Sequence, residues 1–167
     1  MAVRGESFEN SFHSQQRVFV SHVFDDGGRQ DAGYKGSAGD CVKRAIAIAT
    51  RCLYKQVYDA LNTLGKNERP SKRKRGQSNA RTGVYRTTYH QYLTNLGWKW
   101  TPTMFIGQGC KVHLQADELP KGRLVVALSK HIVAVIDGVI HDTGDPSRGG
   151  ARCVYGYFQN DAARIEG

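Results

Sequence analysis

The sequence predicts an α+β fold in which N-terminal helices pack on a C-terminal antiparallel β-sheet. Apolar residues recur every three or four positions over residues 41–50, 53–64 and 86–96, which is the period of an amphipathic helix. From residue 122 onward the apolar runs are short and rich in β-branched side chains, as in strands. Helices followed by antiparallel strands are typical of an α+β fold. The length of 167 residues suits a single domain with one core.

The first helix is expected to begin after a loop rich in glycine, aspartate and serine. Asp40 directly precedes the apolar pattern and occupies the position of a helix N-cap. Gly65 and Gly97 are placed to end the second and third helices. The apolar face expected to point into the core consists of Val42, Ala45, Ile46, Ala49 and Leu53.

A β-hairpin is predicted where Asp137 and Gly138 separate two β-rich runs. The two-residue loop sets the register, and side chains then alternate between the faces of the sheet. His131 and Asp142 become diagonal neighbours on one face, about 7–8 Å apart between α-carbons. His141 falls on the opposite face and is the poorer candidate for a catalytic base. The expected pairs are Ile136 with Val139, Val135 with Ile140, Ala134 with His141 and Val133 with Asp142.

Among the four cysteines, Cys41 has the setting of a nucleophile. At the first position of a helix, unpaired backbone N–H groups stabilise a thiolate and the oxyanion of an attacked carbonyl. Arg44, one turn along, adds positive potential. Cys52, Cys110 and Cys153 fall at a helix end, in a glycine-rich loop and in a strand. The alternative reading of Cys41 is a small residue that faces the core.

His131 is the candidate general base, and Asp142 is the candidate residue that orients it. A carboxylate that accepts a hydrogen bond from one ring nitrogen leaves the other to take a proton from a thiol. Asp145 is the rival orienting residue if the hairpin ends earlier, whereas Asp137 is interpreted as turn chemistry. The alternative reading of His131 is a strand-end histidine in a solvated hydrogen bond.

Two stretches, 39–50 and 128–146, resemble the papain-like cysteine peptidase superfamily, in particular its small bacterial and phage members such as the bacteriocin-processing peptidases. The resemblance implies a cysteine at the start of a helix that packs on an antiparallel sheet, with the histidine and an Asp or Asn on adjacent strands. It implies a peptide or protein substrate. The residues that carry it are Gly39-Asp40-Cys41-Val42-Lys43-Arg44-Ala45-Ile46, His131-Ile132-Val133-Ala134-Val135 and Asp142.

The chain departs from that superfamily at the position of the oxyanion donor. Members usually carry a glutamine about six residues before the cysteine, where this chain has Lys35. Gln30 is the nearest upstream glutamine, so Gln30 or the Cys41 backbone N–H is the candidate donor. The Gly-Asp-Cys-x-x-Arg-Ala run also resembles the cysteine box of ovarian-tumour-type deubiquitinases, which usually have an aspartate where this chain has Ala38.

Much of the net charge of +9 is concentrated in a basic segment, residues 66–83. This segment is read as a solvated flexible loop, a contact for nucleic acid or another polyanion, or a recruitment site for an acidic protein. Nearby aromatic side chains within 85–100 could stack on bases. The residues expected to make such contacts are Lys72, Arg73, Lys74 and Arg75.

Composition narrows the function classes further. Residues 1–17 are a polar arm without the apolar stretch of a signal peptide, and no run approaches the roughly 18–20 apolar residues that span a bilayer. We therefore expect a cytoplasmic protein with reduced cysteines and no membrane partner. The cysteines lack the close spacing of a zinc site, and we expect neither a metal nor a cofactor.

Two functions are compatible with these observations. The first is cysteine-dependent hydrolysis of an amide or isopeptide bond through a thioester, although a transferase or deamidase would use the same residues. The second is a binding module with a vestigial site, which holds nucleic acid or a protein partner through residues 66–86.

Overall fold

The computed structural model describes residues 20–36, 38–69 and 76–161. Within these ranges the chain forms a mixed α+β fold, as the sequence predicted. The predicted arm, 1–17, lies outside the described residues. The helices are α1 (Cys41–Thr50), α2 (Tyr54–Lys66) and α3 (Arg86–Asn95), and the strands are β1 (Ser21–Phe24), β2 (Lys99–Pro102), β3 (Arg123–Leu128), β4 (His131–Ile136), β5 (Val139–Asp142) and β6 (Val154–Gln159).

The strands form one sheet in the order β1-β5-β4-β3-β6-β2. All neighbouring pairs are antiparallel except β1 and β5, which are parallel. The C-terminal strands β3 to β6 are antiparallel as predicted, and β1 adds a parallel edge whose pairing the sequence does not predict. β1 precedes all three helices and β5 follows them, so the chain between the two strands is long enough for the crossover that a parallel pair needs.

The predicted hairpin register is confirmed in the pairs that the two strands form. The loop residues Asp137 and Gly138 have φ angles of 49° and 81°, the left-handed values that a tight two-residue hairpin turn requires. The Asp137 carboxylate also accepts a hydrogen bond from the Gly122 backbone N–H, in keeping with its predicted role in the turn. The observed pairs are Ile136 with Val139, Val135 with Ile140 and Ala134 with His141.

The sheet separates two apolar clusters. The helices cover one face, where the predicted core positions Val42, Ala45, Ile46 and Ala49 of α1 are all buried. Leu53 departs from the prediction and is 69% exposed, because it stands in extended backbone just before α2 rather than on the face of α1. The other face is covered by Leu114 and Leu119 from the long connection between β2 and β3, and by Val20, which precedes β1.

Gly65 does not end α2, contrary to the prediction. The helix continues to Lys66, and a Cβ at Gly65 would overlap the backbone carbonyl of Ser78. Glu68 stabilises this close approach of Gly65 and Ser78, because its carboxylate accepts hydrogen bonds from the Ser78 backbone N–H and the Thr88 hydroxyl. The glycine therefore allows two backbone segments to approach closely instead of stopping the helix.

A disulfide joins Cys110 to Cys153, with the two α-carbons 5.9 Å apart. The expectation that all four cysteines are reduced is therefore wrong for this pair. The loop after β2 folds back along the start of β6 and brings the two residues to disulfide distance, which spacing in sequence does not reveal. Cys41 and Cys52 are free thiols. No helix in the described part of the chain is long and apolar enough to cross a membrane.

Candidate active site

Cys41 opens α1, and its side chain is partly buried against the helix-covered core. The Asp40 carbonyl accepts the first helical hydrogen bond, from the Arg44 N–H at 3.1 Å. The sequence predicts Asp40 as the N-cap of α1, but its carboxylate makes no capping hydrogen bond to the helix backbone. It is buried and instead binds the guanidinium of Arg44, the Tyr54 hydroxyl at 2.7 Å and Arg29 Nε at 3.0 Å. The backbone N–H of Cys41 thus lies at the positive end of a helix.

His131 and Asp142 meet at one end of the β4–β5 hairpin. His131 begins β4 and Asp142 ends β5, so the hairpin register brings both to the same edge. His131 Nε2 and Asp142 Oδ2 are 2.6 Å apart, and Asp142 is only 6% exposed. This contact commits Nε2 to the carboxylate and leaves Nδ1 as the ring nitrogen that can exchange a proton with a neighbour.

The second oxygen of Asp142 links the hairpin to α1. Oδ1 accepts hydrogen bonds from Arg44 Nη2 at 3.1 Å and from the Thr143 backbone N–H at 2.7 Å. Burial acts to raise the pKa of Asp142. The hydrogen bonds from His131 and Thr143, together with the charges of His131 and Arg44, outweigh it and lower the pKa below its ordinary value. Asp142 is therefore held as a carboxylate in a fixed orientation.

The Cys41 thiol and the His131 imidazole form a coupled pair. Burial acts to raise the pKa of Cys41, but hydrogen bonding to His131 and to the Ile132 backbone, and the charges of His131 and Arg44, lower it below the ordinary thiol value. Burial acts to lower the pKa of His131, whereas its hydrogen bonds to Asp142 and Cys41 raise it to about 9. Both shifts favour a thiolate beside an imidazolium.

Known proteins give no guide to this arrangement. Comparisons of the chain with protein-family models, with curated proteins and with solved structures find no match. The function is therefore proposed from the positions and chemistry of the side chains, together with the resemblance at residues 39–50 and 128–146.

The rival candidates make other contacts in the structure. Asp145 accepts a hydrogen bond from the Ser147 backbone N–H at 2.8 Å. His141 faces Asp25, with Nδ1 and Oδ2 3.2 Å apart, in agreement with its predicted place on the other face of the hairpin. Gln30 is exposed and lines a cavity of about 500 Å³ together with Arg29, Asp40 and Arg44. Its lining, within the described chain, includes neither Cys41 nor His131.

The predicted polyanion contacts, Lys72, Arg73, Lys74 and Arg75, lie outside the described residues. Binding of nucleic acid or an acidic protein through residues 66–86 stays a prediction. Two of the aromatic side chains considered for base stacking, Tyr89 and Trp98, are buried in the core and are not accessible to a base.

The sequence did not predict the environment of Lys43. This lysine is only 1% exposed, and its ammonium nitrogen lies 4.2 Å from the ring centre of Tyr58 and 5.2 Å from that of Tyr54. Burial lowers the pKa of Lys43 to about 8, against the opposing effect of Asp40. A basic residue between apolar helix positions gives no sign of burial, because the tyrosines that enclose it come from elsewhere in the chain.

Proposed function

We propose that this chain is a cysteine-dependent hydrolase that forms a thioester on Cys41. His131 acts as acid toward the leaving amine and then as base toward water, and Asp142 orients the imidazole. The observation that carries the proposal is the 2.6 Å contact between His131 and Asp142, with Asp142 tied to α1 by Arg44 and the free Cys41 thiol at the start of that helix, where His131 lowers its pKa. A nucleophile, a histidine that exchanges its proton, and a carboxylate that orients the histidine without being protonated are the groups that an activated nucleophile requires.

In the first step the Cys41 thiolate attacks the acyl carbon of the substrate, and the C–O π electrons move onto oxygen. The oxyanion forms beside the start of α1, where the Cys41 backbone N–H is the candidate donor. The His131 imidazolium then gives its proton to the leaving amine as the carbon–nitrogen bond breaks. The products are a thioester on Cys41 and a neutral amine.

In the second step His131 removes a proton from water, and the oxygen of that water attacks the thioester carbon. The carbon–sulfur bond breaks, the carboxylic acid leaves and the thiolate–imidazolium pair is restored. Asp142 stays ionised throughout, because its role is to stabilise the imidazolium and hold the ring in position.

We infer a peptide or isopeptide bond as the substrate and membership of the papain-like superfamily as the origin of the site. Support comes from the resemblance at residues 39–50 and 128–146, and from a free thiol at the start of a helix that packs on the strand bearing the histidine. A peptide carbonyl is a poor electrophile, which is why a thiolate and a proton donor are both needed.

The test is to trap the acyl-enzyme. The protein is mixed with a panel of activated acyl esters and peptidyl vinyl sulfones, and adducts are located by intact mass and peptide mapping. We expect one adduct per chain, on Cys41, in wild type and in Cys52→Ser. Cys41→Ser should form none. Adducts divided evenly between the two free thiols would contradict the proposal.

A further inference from the structure

A cavity of about 910 Å³ borders His131 and Asp142, and the catalytic proposal does not account for it. Its other walls come from the turn between β3 and β4, the segment after β5, and Cys153 and Tyr155 near the start of β6. The disulfide ties the Cys153 wall to the loop that carries Cys110. One wall of the cavity beside the imidazole is therefore held by a covalent bond.

The position of the cavity indicates which half of a substrate it would hold. Among the described residues its lining includes His131 and Asp142 but not Cys41. In the proposed reaction the acyl half of the substrate becomes bonded to the cysteine sulfur, while the leaving amine receives its proton from the imidazole. A cavity on the imidazole side therefore lies where the leaving half of the chain would run.

Positively charged side chains predominate around this cavity. Lys130, Arg148 and Arg152 all line it. Arg152 is fixed in place, because its guanidinium donates hydrogen bonds to the backbone carbonyls of Pro146 and Ser129. Lys130 and Arg148 are exposed and therefore available to a ligand.

Acidic groups compensate for only part of this charge. The Asp142 carboxylate is already committed to His131 and Arg44, so Asp145 is the remaining acidic side chain in the lining. Three cations facing one such carboxylate leave an excess of positive charge over a concave surface, which concentrates anionic ligands.

We propose that this cavity is the subsite for the leaving half of the substrate and that it selects acidic side chains there. The inference rests on the proposed thioester chemistry and adds the substrate class to it. A peptide with Asp or Glu just beyond the scissile bond would place its carboxylate among Lys130, Arg148 and Arg152. A neutral or basic residue at that point would gain nothing or be repelled.

Acyl transfer measures this subsite separately from acylation. The acyl-enzyme is formed from an activated ester and partitions between water and an added dipeptide amide that begins with Asp, its isostere Asn, or Lys. The ratio of aminolysis to hydrolysis, divided by the concentration of unprotonated α-amine and compared with a small amine of similar basicity, reports binding of the nucleophile on the leaving side. Near about pH 7, where the Asp side chain is ionised, we expect the Asp nucleophile to exceed Asn by about tenfold and Lys by more. Salt at about 0.5 M should reduce the preference.

Variants with reversed charge make the test specific. Lys130→Glu and Arg148→Glu should each reduce or invert the preference for Asp over Asn. Lys121→Glu is the matched control, since Lys121 is exposed and precedes β3 at the opposite end of the sheet from His131. An acyl-enzyme that shows no preference for Asp over Asn overturns the acidic subsite and leaves the proposed function standing. Failure to form any acyl-enzyme overturns both.

Discussion

The two ends of α1 each carry a free, partly buried cysteine, and they differ in what surrounds the sulfur. Cys41 stands at the N-terminal end beside His131 and Arg44. Cys52 lies just beyond the C-terminal end, where the helix presents carbonyl oxygens and Arg123 donates to two of them. The comparison teaches that burial and exposure do not distinguish a nucleophile. What distinguishes Cys41 is the partial positive charge at the N-terminal end of the helix and a nearby histidine, His131, that can accept its proton.

The largest expected effect comes from exchanging the two thiols for hydroxyls. Cys41→Ser should lower the rate of ester hydrolysis by at least about 10³-fold, because a serine hydroxyl beside this histidine is not ionised near neutral pH. Cys52→Ser should leave the rate nearly unchanged. Stopped-flow or plate assays with one activated ester measure both. Equal losses in the two variants would remove the distinction between the helix ends.

Removal of the imidazole should have the next largest effect. His131→Ala is expected to lower kcat/KM by about 10²–10⁴-fold, since both the stabilised thiolate and the proton donor are lost. His141→Ala is the matched control, because this neighbouring strand histidine also faces an aspartate, Asp25. If the two alanine variants lose activity to the same extent, the effect is structural rather than chemical.

Arg44 is a positioning residue, and its removal should have a smaller effect that depends on pH. Arg44→Met takes a cation from Asp142 Oδ1, so the pKa of Asp142 should rise toward its ordinary value of about 3.9. The acid limb of the rate–pH profile should then move to higher pH, and kcat should fall by about tenfold. Arg44→Lys should restore part of the loss. A uniform loss of rate at all pH values would contradict the positioning role.

The ion pair between Asp142 and Arg44 also affects how the free energy of unfolding changes at acid pH. The folded-state pKa of Asp142 is depressed, so it contributes stability above the unfolded pKa of about 3.9, and this stability is lost as pH falls through the folded pKa. Arg44→Met should therefore flatten the dependence of the unfolding free energy on pH in the acid range. Urea unfolding at several pH values tests this, with Lys55→Met, which removes the exposed pair with Asp59, as the control.

Removal of the disulfide should have the smallest effect on the difference in reactivity between Cys41 and Cys52. Cys110→Ser should lower the free energy of unfolding by about 2–4 kcal/mol, because Cys110–Cys153 closes a loop with a sequence separation of 43. The ratio of Cys41 to Cys52 labelling should nevertheless hold within about twofold, since that ratio is set at the ends of α1. If reduction of the disulfide made Cys41 and Cys52 react equally, the cavity wall that carries Cys153 would control the reactivity of Cys41.

Local patterns predicted much of this arrangement. The apolar period placed Cys41 at the start of α1, and Asp137-Gly138 fixed the register that brings His131 toward Asp142. These features depend on neighbours in sequence, so the sequence reveals them. The sequence predicts Arg44 as a source of positive potential at the start of α1. Its ion pair with Asp142 joins residues 98 positions apart and depends on how the helix and the hairpin pack.

The features that the sequence did not predict share one physical cause. The parallel pairing of β1, the continuation of α2 through Gly65 and the Cys110–Cys153 disulfide are each decided by a segment distant in sequence. The spacing of Leu53 alone predicts a core position, but α1 ends at Thr50, so Leu53 does not continue the buried face of that helix. Tertiary contacts override local preference at such positions.

The pH dependence of alkylation at Cys41 and Cys52 within one sample tests the central claim most directly. Iodoacetamide rates are read by peptide mapping in wild type and in His131→Ala. The thiolate–imidazolium pair predicts that Cys41 reaches half its maximal rate below the ordinary thiol pKa of 9.0 and reacts at least about tenfold faster than Cys52 at mildly acid pH. His131→Ala should abolish that advantage. Parallel titration of the two thiols, unchanged by His131→Ala, would contradict the account.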